Sequence, residues 1–257
     1  MGAMTMEGRP AYWRESSQPL TSLVFVAPML VVYEAGVLLV DERSARNGAE
    51  LWLRGWLDQL GFSACLSYFL LPALTCGLLL AWHHTRNEPW RLRWDVLSGM
   101  AFESTVLAIG LLLFAQWQQE WIAGLARGTP AATRGAATDS AAALIAYLGA
   151  GIYEELLFRL ALLPAAVIGL RWCGLDRRTS LAAAIVLTSA LFALAHYRLD
   201  VPLGAWRLHL PYGDAFAWSS FSFRFLAGVF FASLFAARGF GIAAGSHALY
   251  DIFAVLL

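Results

Sequence analysis

The chain contains no lysine; all 18 of its basic residues are arginine. Charge of either sign is scarce, since only 14% of the 257 residues are Asp, Glu, Lys or Arg, against about a quarter in a soluble domain. The acidic residues cancel the arginines and the net charge is zero. A balanced chain offers no electrostatic footprint for a polyanion, so no nucleic-acid partner is expected. Cysteine is scarce too. Cys65, Cys76 and Cys173 form an odd set, two of them in one apolar stretch, which argues against a disulfide framework. They read as small buried apolar residues.

Apolar residues fill the space that charge leaves. They make up 59% of the chain and give a mean hydropathy of +0.60. Such a composition cannot cover a water-facing surface, so lipid is the expected solvent and partner. At roughly 20 residues per crossing, the length suits six to eight helices. The fold class expected is all-α, a polytopic transmembrane bundle forming one domain over 1–257. About seven spans fall near 20–40, 64–82, 96–117, 140–163, 181–197, 222–237 and 239–257. The first run is longer than a signal-peptide core and leads into Asp41-Glu42-Arg43, so it is expected to remain as a span. No lipidation motif is seen: Met6 stands where a myristoylation motif needs Ser or Thr, and no prenylation cysteine precedes Leu257.

Between the first two spans, Leu51, Trp52, Leu53, Trp56, Leu57 and Leu60 share one face and Arg54 and Asp58 another. This predicts an amphipathic helix at the membrane interface. The apolar stretch from Ser140 to Leu170 is too long for one span, and Pro164 predicts a kink or end with a short helix beyond it. With the N-terminus inside, arginines outside the spans number nine inside against seven outside. The excess lies mainly in the loops at 83–95 and 171–180, and predicts a cytoplasmic N-terminus. The loop at 126–139, rich in Ala, Gly and Thr, carries no signal. Tryptophans 206 and 218, within 199–220, suit either a lid or an interfacial belt.

Charged groups inside a span cost several kcal/mol and need a partner or a function. Glu154 and Glu155 lie deep in the fourth span. Glu155 and Arg159 are four apart and share a face. Glu154 is turned about 100° away and is the less neutralised of the two. That environment suits a general base. His196 ends the fifth span. His247 and Asp251 are four apart in the last one, where Asp251 can orient the imidazole. Taken singly, each group has a bland reading as a packing ion network, an interfacial histidine or a structural His–Asp pair. Their coincidence on three spans favours function. Glu34 and Glu103 could line a water-filled cavity but are expected rather to pair with arginines or snorkel, His83 and His84 to be interfacial, and Arg224 to snorkel.

The ordered elements Glu154-Glu155-x-x-x-Arg159, Phe192-x-x-x-His196 and His247-x-x-x-Asp251 resemble the CAAX protease and bacteriocin-processing family of intramembrane peptidases, which includes the type II CAAX prenyl endopeptidases. The resemblance covers about 141–257, leaving 1–139 as accessory spans of unknown role. It implies a cavity within the membrane. Glu154 and His196 would activate water, His247 and Asp251 would stabilise the oxyanion, and Glu155 and Arg159 would support the site. It also implies a membrane-associated protein or lipidated peptide as substrate, and an integral protein of the bacterial inner membrane. Many members carry Asn where this chain has Asp251. An ionised Asp251 would repel an oxyanion, so it is either protonated or acts through His247. Such families are read both with zinc and without. The chain lacks an H-E-x-x-H helix, and pairing of Glu155 with Arg159 removes one ligand, so no cofactor is expected, with a zinc-dependent variant the alternative. Two other classes compete. One is a non-enzymatic immunity or adaptor protein of the same fold. The other is a proton-coupled carrier, against which stands the lack of an internal repeat.

Overall fold

The computed structural model describes residues 11–40, 46–125, 140–203, 206–210 and 213–257. Asp41–Arg43, the loop 126–139 and the side chain of Trp206 lie outside the described residues. The chain folds as a helical bundle: α1 Ala11–Ser16, α2 Pro19–Leu39, α3 Gly48–Gln59, α4 Ala64–Thr85 and α5 Trp94–Leu125, then α6 Ser140–Glu155, α7 Leu163–Trp172, α8 Arg177–Leu194, α9 Trp218–Arg238 and α10 Phe240–Leu256. One antiparallel hairpin, β1 Leu199–Leu203 with β2 Trp206–Leu210, is inserted between α8 and α9.

Six helices are long and apolar enough to cross a membrane, and Phe240–Leu256 is a shorter seventh apolar helix. The protein is therefore an integral membrane protein. Phe69, Phe102, Leu113, Trp117 and Leu39 stand exposed on the outside of the bundle, as lipid-facing side chains must. At 1.5 Å per residue, α5 is roughly 48 Å long, more than the ~30 Å hydrocarbon core, so it projects beyond the lipid. The last helix runs through the centre of the bundle. Every residue from Phe240 to Ala248 is buried, with α2, α5, α6 and α9 packed around it.

Local chemistry sets several boundaries. Pro19 opens α2 in its first turn, where its missing N–H costs nothing. Asn47, Ser63 and Asp176 cap α3, α4 and α8, each accepting an amide of the first turn. At Asp176 the Thr179 hydroxyl, with the Thr179 and Arg178 amides, holds the carboxyl below its usual range.

Pro164 does not end the fourth span. The helix continues from α6 into α7 through widened π turns at Leu156–Leu162, where the Leu163 amide reaches back five residues to Phe158. The proline then falls just after the widened turns, at the start of α7, and its missing N–H is absorbed where the hydrogen-bond register changes. The change of register begins directly after Glu155, a placement typical of π segments near functional side chains.

The amphipathic helix forms as α3, with Leu53 and Leu57 against the core and Trp56 and Leu60 exposed. Its Glu50 is fully buried, receiving the Tyr33 hydroxyl and paired with Arg46 and Arg54. Those arginines are thereby engaged, and Glu34 instead accepts from the Tyr153 hydroxyl of α6, not from an arginine as expected. Glu103 does pair with an arginine, Arg238, and accepts from Tyr12. His83, two residues before the end of its span, is buried edge-on to Trp90 at 4.6 Å, whereas His84 is exposed. Cys65 and Cys173 are exposed, not buried as expected: they lie on the outside of α4 and in the turn after α7.

Candidate active site

Gly151 governs the meeting of the two helices that matter most. A β-carbon there would come 2.6 Å from the backbone nitrogen of Ala248, so the α6 and α10 backbones are in direct contact. Close approach through small residues is the usual device for packing helices in lipid. It places Glu154 and Glu155 beside His247. Gly151→Ala is expected to cost about 1–3 kcal/mol by overpacking and to depress activity, read as a lower melting temperature in detergent. Gly169→Ala in α7, where a β-carbon meets nothing within 4 Å, is the control and should melt no lower than the wild type. Equal melting of both variants would count against this contact as the site's spacer.

Glu155 is fully buried and bridges two cations. Its Oε1 lies 2.8 Å from Nδ1 of His247 and its Oε2 lies 3.3 Å from Nε of Arg159. A carboxylate accepts, so Nδ1 of His247 carries the proton. Arg159 also donates from Nη2 to the Gly228 carbonyl of α9 at 3.3 Å and stacks its guanidinium 4.2 Å from the centre of the Phe192 ring. Phe231 lies flat on the His247 imidazole at 4.4 Å, with 16° between the planes. Glu155 and Phe231 together fix the orientation of that ring.

Glu154 faces the open side. Its Oε2 is buried with no hydrogen-bond partner, 3.6 Å from Nε2 of His196 and 3.8 Å from Nε2 of His247. Asp251 Oδ2 lies 3.5 Å from the same Nε2 of His247. His196 sits in the turn just past α8, where its Nδ1 donates to the Phe192 carbonyl at 2.8 Å, so its Nε2 is turned toward Glu154. The turn is clamped by the return strand: the Asp214 amide donates to the His196 carbonyl and the Arg198 amide to that of Asp214. Gly213 makes this possible, because it adopts φ +118° and a β-carbon there would stand 2.4 Å from the His196 carbonyl oxygen.

The groups open into a cavity of about 750 Å³ whose wall also includes Gln118, Tyr147, Phe223, Arg224 and Tyr250. Such a volume and mixed lining suit a ligand site. Glu154, His196, His247 and Asp251 are thus brought together, while Glu155 and Arg159 lie beneath them. Sequence reasoning missed two partners. Glu155 holds His247 as well as Arg159. Arg224 does not snorkel away but lines the cavity, bound to Asp214 at 2.6 Å and 5.0 Å from the Tyr197 ring centre. The signal for Arg224 was present: a charge within an apolar span is a functional candidate by default. Among the described residues, no three His, Cys, Asp or Glu side chains are grouped as a metal site requires.

Residues 136–253 match the model of the family described as type II CAAX prenyl endopeptidase Rce1-like. No curated protein and no solved structure matches the chain.

Proposed function

We propose, for a chain whose residues 136–253 match the model of the Rce1-like family of type II CAAX prenyl endopeptidases, an intramembrane hydrolase in which Glu154 activates water against a peptide bond of a membrane-associated, lipid-bearing substrate. The observation that carries this reading is the buried, unpartnered Oε2 of Glu154 between two imidazole nitrogens at 3.6 and 3.8 Å. Those separations exceed a direct hydrogen bond, so the buried carboxylate oxygen keeps its acceptor capacity for a water.

In the proposed reaction, water held by Glu154 and His196 gives a proton to Glu154 and attacks the carbonyl carbon, whose π electrons move to oxygen. His247 donates from both nitrogens, Nδ1–H to Glu155 and Nε2–H to the oxyanion. A donor aimed at developing charge in a dry site is worth about 10²–10³ in rate. Collapse of the intermediate breaks the C–N bond, and the proton on Glu154 passes to the leaving nitrogen. Asp251 acts here through His247, its carboxylate favouring the imidazolium from 3.5 Å, and does not contact the oxyanion itself. Glu155, Arg159 and Phe231 are positioning residues.

No step of the scheme draws on a metal. Purified protein in lipid vesicles is therefore expected to cleave a peptide bearing an S-prenylated cysteine, and to keep that activity in excess chelator. Mass analysis of the products locates the cut. Loss of activity together with stoichiometric zinc would replace this scheme with the zinc-dependent one; no cleavage of any lipidated peptide would remove the peptidase reading.

A further inference from the structure

Two residues in the wall of the Glu154 cavity come from outside the stretch 136–253 that matches the family: Asn47, which caps α3, and Gln118 of α5. They are 7% and 8% exposed. Each leaves one amide atom buried with no hydrogen-bond partner among the described residues. The surrounding bonds fix which atom that is. Asn47 Oδ1 accepts the Glu50 amide at 2.9 Å, so the free atom is Nδ2, a donor. Ser222 commits its hydroxyl proton to the Ser219 carbonyl at 2.9 Å. It therefore accepts from Gln118, whose Nε2 lies 2.9 Å away, and the free atom of Gln118 is Oε1, an acceptor. Buried amide groups left unpaired are costly, and a free donor with a free acceptor calls for a ligand that supplies both partners. A prenyl or acyl chain supplies neither. A peptide main chain supplies both at each ordinary residue, a carbonyl and an N–H.

We infer that Asn47 and Gln118 bind the main chain of the substrate, Asn47 donating to a peptide carbonyl and Gln118 accepting a peptide N–H. A β-carbon on Gly149 would stand 2.7 Å from Nδ2 of Asn47, so this donor lies directly on the α6 backbone. Gly149 precedes Glu154 by five residues, roughly 7.5 Å of helix, or about two residues of extended peptide. Asn47 is thus a positioning residue, holding the chain away from the bond that is cut. Recognition through the main chain tolerates different side chains, and it gives the accessory half a part in the site. The inference rests on the peptidase reading for taking the ligand to be a peptide.

Binding is read on full-length Glu154→Gln protein in lipid vesicles, with a fluorescent peptide bearing an S-prenylated cysteine. A series of the same peptide replaces one backbone amide at a time by an ester, which removes the N–H and weakens the carbonyl as an acceptor. The ester at the N–H that faces Gln118 is expected to lower affinity about five- to tenfold. Adding Gln118→Met, which removes the acceptor, should bring that penalty close to one. Asn47→Ser keeps an oxygen to cap α3 and loses the donor. It should weaken the all-amide peptide about fivefold and cancel the smaller penalty, about two- to threefold, of the ester whose carbonyl faces Asn47. This arm decides alone if the Gln118 variant misfolds. Uniform affinity across the ester series, as expected if the two atoms serve only bound water, overturns the inference. So do penalties that survive in the variants. Ester penalties that the variants cancel, without cleavage by the wild type, leave the inference standing and end the peptidase reading; cleavage by the wild type with no ester penalty does the reverse.

Discussion

Glu154→Gln abolishes hydrolysis and leaves the fold intact. General-base contributions run to about 10²–10⁴-fold, and a loss of that size is expected in the turnover of any peptide the wild type cleaves. The amide keeps the shape of the carboxylate and can still accept at the position now held by Oε2. It cannot take a proton from water. No hydrogen bond depends on the charge, because Oε2 of Glu154 has no partner and its neighbouring nitrogens stand 3.6 and 3.8 Å off. Melting in detergent should therefore match the wild type. This separates the competing classes. A non-enzymatic immunity or adaptor protein keeps its biological effect with glutamine at 154, since shape and hydrogen bonding are retained. Unchanged cleavage in the variant would reassign the base to another group.

The groups at the site were legible because lipid makes polarity conspicuous. In spans this apolar, Glu154, His196, His247 and Asp251 stand out without any structure, and helical phase alone separated Glu154 from Glu155. What could not be read was the partnership between spans. Glu155 and His247 are 92 residues apart and 2.8 Å from each other, a meeting set by the missing β-carbon of Gly151. Phase predicted the Glu155–Arg159 pair correctly and was silent about the second acceptor oxygen. Arg224 went unread for a similar reason. Near a helix start, a long cation snorkels by default, and only the return of the chain at Gly213-Asp214 turns that end of α9 toward the cavity. Glu50 shows the same limit in the accessory half: its buried pairing with Arg46, Arg54 and Tyr33 depends on how α3 lies on α2, which an amphipathic pattern does not specify.

Arg159→Met is expected to cost about 3–5 kcal/mol, the range for leaving one member of a buried pair without its partner. Proteins of this size have only about 5–15 kcal/mol in hand, so the variant should be recovered poorly and melt far below the wild type. Arg159 is 1% exposed. Methionine would remove the ion pair to Glu155, the donor to the Gly228 carbonyl and the stack on Phe192. Glu155 would then be left buried with His247 alone. The double variant Glu155→Gln/Arg159→Met tests this account. Glutamine can still accept from Nδ1 of His247, and no orphaned carboxylate remains, so the pair should be more stable than Arg159→Met alone. Replacing both charges of a buried pair is often far less costly than removing one. The double variant should nonetheless cleave poorly, because the imidazolium of His247 loses the anion at its Nδ1. A double variant less stable than the single one would mean that the arginine acts through the Gly228 carbonyl and the Phe192 ring, and not through Glu155.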